Sequence, residues 1–259
     1  MKVAVVSMAD RAGATCATLL IGYAMAYKQV RTTRLCYTGQ NSAILKYPGR
    51  DDGTGKDRTR SITQVAKLLT SRALKPAELG DYCINLGPNI DLMDSWEESL
   101  TEDEMMDILT FCFDRSTTDF TFCDIAYALD DPTTQRMIEV SDAIICVSEM
   151  SKASLSAAHE AIEKKKFPED KPVMLLVNRF DPTINSLKWC ANQAGTKLRY
   201  TCKIHYNPYI TRGCNGTDIE GVARAVMDKD PRVISLHQDL KECTQFLLSL
   251  NNEKNRWED

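Results

Sequence analysis

No two of the ten cysteines stand in a C-x-x-C pair; they fall at positions 16, 36, 83, 112, 123, 146, 190, 202, 214 and 243. Structural metal sites and disulfide frameworks are built on short paired spacings, so this pattern argues for buried, reduced thiols used as small hydrophobes. A basic field is missing as well. Lys and Arg number 32 against 36 Asp and Glu, a net charge of −4 with the signs interspersed, which does not point to nucleic acid or an anionic membrane. No apolar run reaches the roughly 18 residues of a membrane span, and no charged n-region, apolar h-region or cleavage site precedes the first strand-like run. The expectation is a cytoplasmic protein with no integral membrane segment. What is present is 43% hydrophobic residues over 259 positions, enough for a sizeable core. One α/β domain over residues 1–259 is expected.

The chain opens with KVAVVSMADRAGATCATLLIGYAMA. An apolar β-prone run (residues 3–6) passes through a short loop with Gly13 and Thr15 into a long apolar helix, predicted over 14–29. That is the strand, loop and helix order of a phosphate site, in which backbone N–H groups and a helix N-terminus face the anion. A standard phosphate loop reads G-x-x-x-x-G-K-[ST], with a lysine on the outer phosphates and a hydroxyl on Mg²⁺. With Gly13 and Thr15 as the last glycine and the hydroxyl, the lysine position holds Ala14. An ordinary glycine turn after a first strand is the alternative reading of the same residues.

The segment Ala9-Asp10-Arg11-Ala12-Gly13-Ala14-Thr15 resembles the deviant Walker loop of ParA/MinD-type ATPases, KGGxGK[ST], with alanine at both lysine positions. In that family the first lysine crosses a dimer interface to the partner's nucleotide and the second lies on the outer phosphates. Arg11 is the one cation left in the loop. Three further blocks carry the resemblance. Asp119 to Ser148 is similar to the family's YDxIIIDTPPG strand, its helix and the next strand, which implies that Asp124 helps hold magnesium; capping the following loop is its alternative role. PVMLLVNRFD, residues 172–181, is similar to the strand ending in N-[RK]-x-D, which implies that Asn178 meets the adenine with Arg179 nearby. His205-Tyr206-Asn207-Pro208 resembles the segment that passes over the base.

Taken together, the resemblance implies nucleotide contacts from Arg11, Ala12, Gly13, Ala14, Thr15, Cys16, Asn178, Arg179, Asn207 and Pro208, and metal contacts from Thr15 and Asp124. The implied cofactors are ATP and Mg²⁺, and the implied partners are a second copy of the chain in a homodimer and a further protein. The fold class is α/β: a doubly wound, mainly parallel sheet with helices on both faces and its ligand edge at the strand C-termini, which the alternation of buried strand-like runs with helices also predicts.

The hydrolytic parts depart from the family. Where its second strand (here 33–38) runs into an Asp-rich segment, this chain has Tyr37-Thr38-Gly39-Gln40-Asn41, leaving Gln40 either to orient a water or to be a solvated loop residue. Residues 49–58 read as a loop whose Gly55-Lys56 lacks the context of a phosphate site. Further helices are predicted over 61–79 (with Pro76 opening a short turn), 102–115 (capped by Thr101 with Glu104), 151–166 and 231–250, with extended pieces at 82–86, 90–93 and 198–205. Lys164-Lys165-Lys166 either complements its helix dipole or binds DNA phosphates.

Three functions follow from the resemblance. One is a degenerate ATP-binding protein of weak or absent hydrolysis that positions or assembles a cellular machine of pilus, secretion or conjugation type, by analogy with the TadZ/CpaE group. The others are a slow ATPase that partitions DNA and a pseudo-ATPase interaction module that binds no nucleotide.

Overall fold

The computed structural model describes residues 1–38, 62–71, 73–93, 100–126, 128–215 and 218–258. Gln40, Asn41, Tyr127 and the loop expected over 49–58 lie outside them.

The elements run β1 (Lys2–Ser7), α1 (Ala14–Lys28), β2 (Thr33–Tyr37), α2 (Ile62–Thr70), β3 (Ile84–Gly87), β4 (Ile90–Leu92), α3 (Glu102–Asp114), β5 (Phe120–Ile125), α4 (Pro132–Val140), β6 (Ala143–Ser148), α5 (Lys152–Glu163), β7 (Val173–Phe180), α6 (Leu187–Gln193), β8 (Thr201–His205), α7 (Pro208–Asn215), α8 (Ile219–Met227) and α9 (Ile234–Glu258). The strands form one eight-stranded sheet in the order β3-β4-β2-β5-β1-β6-β7-β8. Every pairing is parallel except the β3–β4 hairpin at the edge. A parallel sheet needs both faces covered, and the central strands accordingly read as continuous apolar runs. The expected α/β architecture is the observed one.

Period-two alternation assigns the faces. Val3 and Val5 of β1, Leu35 and Tyr37 of β2, and Phe120 and Phe122 of β5 belong to the core layer under α1, α8 and α9. Ala4, Val6, Cys36, Cys123 and Cys146 point the other way, into the layer that includes Leu109 and Phe113 of α3, Ile138 of α4 and Leu155 of α5. Cys36, Cys123 and Cys146 are thus small apolar side chains within that layer, while Cys202 of β8 belongs to the layer under α1. In β5 the same count places Asp124 on the side of α1. Covered by the sheet and by α8 and α9, α1 is buried from Ala17 through Ala26, which explains why its sequence is apolar around the whole circumference.

The helix predicted over 61–79 resolves into α2 and a 3-10 turn from Pro76 to Tyr82. The Thr101 cap of α3 is present with both arms of its box: Glu104 N–H donates to Thr101 Oγ1, and Thr101 N–H donates to Glu104 Oε2 at 2.9 Å. α9 runs past the expected end at residue 250. Nothing in NNEKNRWE breaks a helix, since these residues include neither Gly nor Pro. The C-terminal stripe is core where Leu236, Leu240, Cys243 and Leu247 are concerned; Phe246 and Leu250 are half-buried.

Candidate functional site

A cavity of about 600 Å³ opens at the C-terminal edge of β1, β5, β7 and β8, walled by the loop before α1 and by α7. This is the edge at which open α/β sheets bind ligands. Its floor is set by the loop. Ser7 Oγ donates to the Ala9 carbonyl at 2.7 Å, Ala12 N–H turns back to the same carbonyl at 3.2 Å, and Arg11 adopts a left-handed φ of 59°. Gly13 is the N-cap of α1 at φ 85°, with no side-chain cap for the first turn. Its lack of a side chain is a geometric requirement: a Cβ there would lie 2.3 Å from Asn178 Nδ2. That amide, carried in by β7 and nearly buried, donates to the Ala12 carbonyl at 2.7 Å. Asn178 therefore braces the loop in this structure.

On the floor, Thr15 Oγ1 donates to Asp124 Oδ2 at 2.6 Å. Asp124 is 4% exposed, and this burial pushes its carboxyl up to about 6, with the Thr15 hydroxyl opposing the rise. Thr38 joins the ends of β2 and β5. Its N–H donates to the Asp124 carbonyl at 3.0 Å and its hydroxyl accepts from Ala126 N–H at 2.9 Å. Ala12 in the loop and Ala14 at the start of α1 are both buried. Among the described residues lining the cavity there is no lysine, and its arginines are Arg11 and Arg179.

The rim is made differently. Arg179, at φ 52°, pairs with Glu149. Asn207 caps α7, accepting from Tyr209 N–H at 2.8 Å and donating to the Arg232 carbonyl at 3.0 Å, and Pro208 follows at the first helical position, where a missing N–H costs nothing. His205 bonds Asp239 through Nδ1 at 2.8 Å and meets Phe180 edge-on, as a packed histidine. Cys16, in the first turn of α1, stands with its Sγ 3.0 Å from Cys214 Sγ on α7. This bond, with burial, holds the Cys16 thiol above its usual range; the same bond draws Cys214 down, aided by Arg179.

Thr15 and Asp124, and Asn178 and the Gly13 loop, are thus brought together as pairs, with Asn207 and Pro208 on the opposite wall. Sequence reasoning missed α7 as a wall and Cys214 as a neighbour of Cys16. The Asn-Pro start of α7 was an available signal, whereas nothing in the chain links positions 198 residues apart. The three lysines after α5 are each paired with an acid, Lys164 with Glu160, Lys165 with Glu169 and Lys166 with Asp130. No group of three or more His, Cys, Asp or Glu arranged for a metal occurs among the described residues, and no described helix is long and apolar enough to cross a membrane.

A larger open groove, of about 1360 Å³, lies at the other end of the strands and includes Lys2, Asp142 and Lys171 in its lining. The Lys171 ammonium there donates to the carbonyls of Ile138 at 3.0 Å and Ser141 at 2.7 Å, closing the end of α4.

No family model matches the chain, and no curated protein does. Solved structures do. A ParA family ATPase of Chlorobium tepidum superposes with a TM-score of 0.69 at 15% identity, covering 94% of this chain and 98% of that one. The MinC:MinD cell division complex of Aquifex aeolicus gives a TM-score of 0.70 at 15% identity, over 95% of each chain. A plasmid partition protein of Borrelia burgdorferi, solved bound to AMPPNP, gives 0.62 at 16% identity over 97% of this chain and 98% of that one. With this strand order, this loop and these neighbours, the chain has the fold of the ParA/MinD-type P-loop ATPases.

Proposed function

We propose that the protein binds ATP with Mg²⁺ weakly at the N-terminus of α1, turns it over slowly or not at all, and acts as a positioning or assembly factor through a homodimer and a protein partner, in a machine of pilus, secretion or conjugation type. The observation that carries the reading is the Thr15–Asp124 pair at 2.6 Å on the cavity floor, beside Ala14 where a lysine would stand. A hydroxyl and a carboxylate are the hard oxygen donors that suit Mg²⁺, and a desolvated carboxylate gains from a divalent cation. The residues present fit the metal. Mg²⁺ would shield the outer phosphates there; Thr15 and Asp124 would hold it.

The uncapped first turn of α1 offers backbone N–H groups to phosphate, and the helix dipole adds to them. Weakness follows from the alanines. A charge-assisted contact is worth about 1.5–3 kcal/mol, and neither loop lysine is there to make one. The AMPPNP-bound neighbour supports the choice of nucleotide, and the MinC:MinD neighbour supports a protein partner.

Calorimetric titration of nucleotide-free protein with ATP and Mg²⁺ tests the proposal. Weak binding is expected, lowered about tenfold by Thr15→Ala or Asp124→Ala and raised about tenfold by Ala14→Lys. No heat at millimolar ATP would overturn the nucleotide site, and rapid turnover by the purified protein would overturn the slow hydrolysis.

A further inference from the structure

All ten cysteines are free, and eight are buried; the two half-exposed ones are Cys16 and Cys214. These two meet, Sγ to Sγ at 3.0 Å, and both line the cavity. The geometry points to a thiol–disulfide modification site, in which Cys16 and Cys214 form a reversible bridge that ties α7 to the first turn of α1.

A disulfide needs an S–S distance of about 2.05 Å, so closure takes about 1 Å of further approach. Side-chain rotation on two short residues, one of them near the end of α7, can supply it. The oxidant is a low-molecular-weight disulfide, RSSR. Cys214, as thiolate, attacks one sulfur of RSSR and displaces RS⁻, leaving a mixed disulfide on Cys214. Cys16 then loses its proton and attacks Cys214 Sγ, displacing the second RS⁻. The two cysteine protons end on the two released RSH molecules, the protein sulfurs are oxidised by two electrons, and RSSR is reduced by two. A thiol reductant runs the exchange backwards.

The bridge would fix the wall formed by α7 against the residue next to Thr15. Its consequence, a lower affinity for nucleotide when the α7 wall cannot draw back from the first turn of α1, rests on the ATP site proposed above. The disulfide itself does not.

The test treats the full chain with excess oxidised glutathione. The expected result is an intact mass lower by two hydrogens with no glutathione retained, a peptide map joining Cys16 to Cys214, reversal by dithiothreitol, and no such species in Cys214→Ser. A stable glutathione adduct, a link through other cysteines, or no reaction would overturn the bridge. Titration of both redox forms with a fluorescent ATP analogue and Mg²⁺ then reads the consequence. At least a tenfold loss of affinity on oxidation, absent in Cys214→Ser, is expected, and equal affinity would overturn that consequence. Failure of the reduced form to bind would overturn the ATP site and leave the bridge standing on its mass.

Discussion

The floor and the rim of the cavity use similar residues to opposite effect. On the floor, Asp124 is buried with Thr15 as its hydrogen-bond donor and an elevated proton affinity. On the rim, Asn207 serves a helix cap and a carbonyl, and Arg179 serves Glu149. A buried polar group without full compensation costs free energy, and groups bonded within the fold cost little. The floor therefore holds destabilisation that a ligand can relieve, and the rim is settled without one. Binding sites tend to be found on the uncomfortable side of such a contrast.

The largest effect is expected where floor and rim meet. Gly13→Ala forces a Cβ against Asn178 at a positive φ, and should lower the unfolding free energy by about 3 kcal/mol in urea denaturation. Adding Asn178→Ala removes the clash and should return part of that loss. A single-mutant loss below about 1 kcal/mol would mean the loop gives way and the two regions are not coupled.

Asp124→Asn tests the floor alone. A carboxyl whose folded pKa is raised adds stability below its unfolded value, near pH 4, and loses it as pH rises through about 6. Without Mg²⁺, the substitution should stabilise the protein by about 2–3 kcal/mol at pH 7, with the gain fading to nothing near pH 4. Thermal melts across that range would show it; a pH-independent gain would assign it to packing.

On the rim, Asn207→Ala removes a helix cap and should destabilise by about 1 kcal/mol at any pH. Smallest of all is Arg179→Ala, whose ion pair is 54% exposed on the arginine side, where a change below about 0.5 kcal/mol is expected by denaturation. A larger loss there would make the rim as energetically loaded as the floor.

Most of the sheet was legible because parallel strands buried on both faces leave continuous apolar runs, as in residues 143–148 and 173–180. The loop with Gly13 and Thr15 was legible because strand, glycine and hydroxyl follow in a fixed order, and Asp124 only through the resemblance carried by residues 119–148. The short helices α6, α7 and α8 were not, since seven to nine residues give only two turns of periodicity. Asn178 was read as a base contact, whereas its partner here is a carbonyl 166 positions earlier, a tertiary fact with no local sign. Cys16 and Cys214 were unreadable as a pair for the same reason.

The alternation in β5 has a bearing on length as well as chemistry. Asp124 faces Thr15 because it shares parity with Phe120 and Phe122. Deleting or inserting one residue between 120 and 124 would turn the carboxylate to the opposite face, among the strand thiols, while leaving every residue type in place. A relative that keeps an aspartate here but changes the spacing by one has therefore abandoned the site, and one that keeps the spacing but carries asparagine has only discharged it.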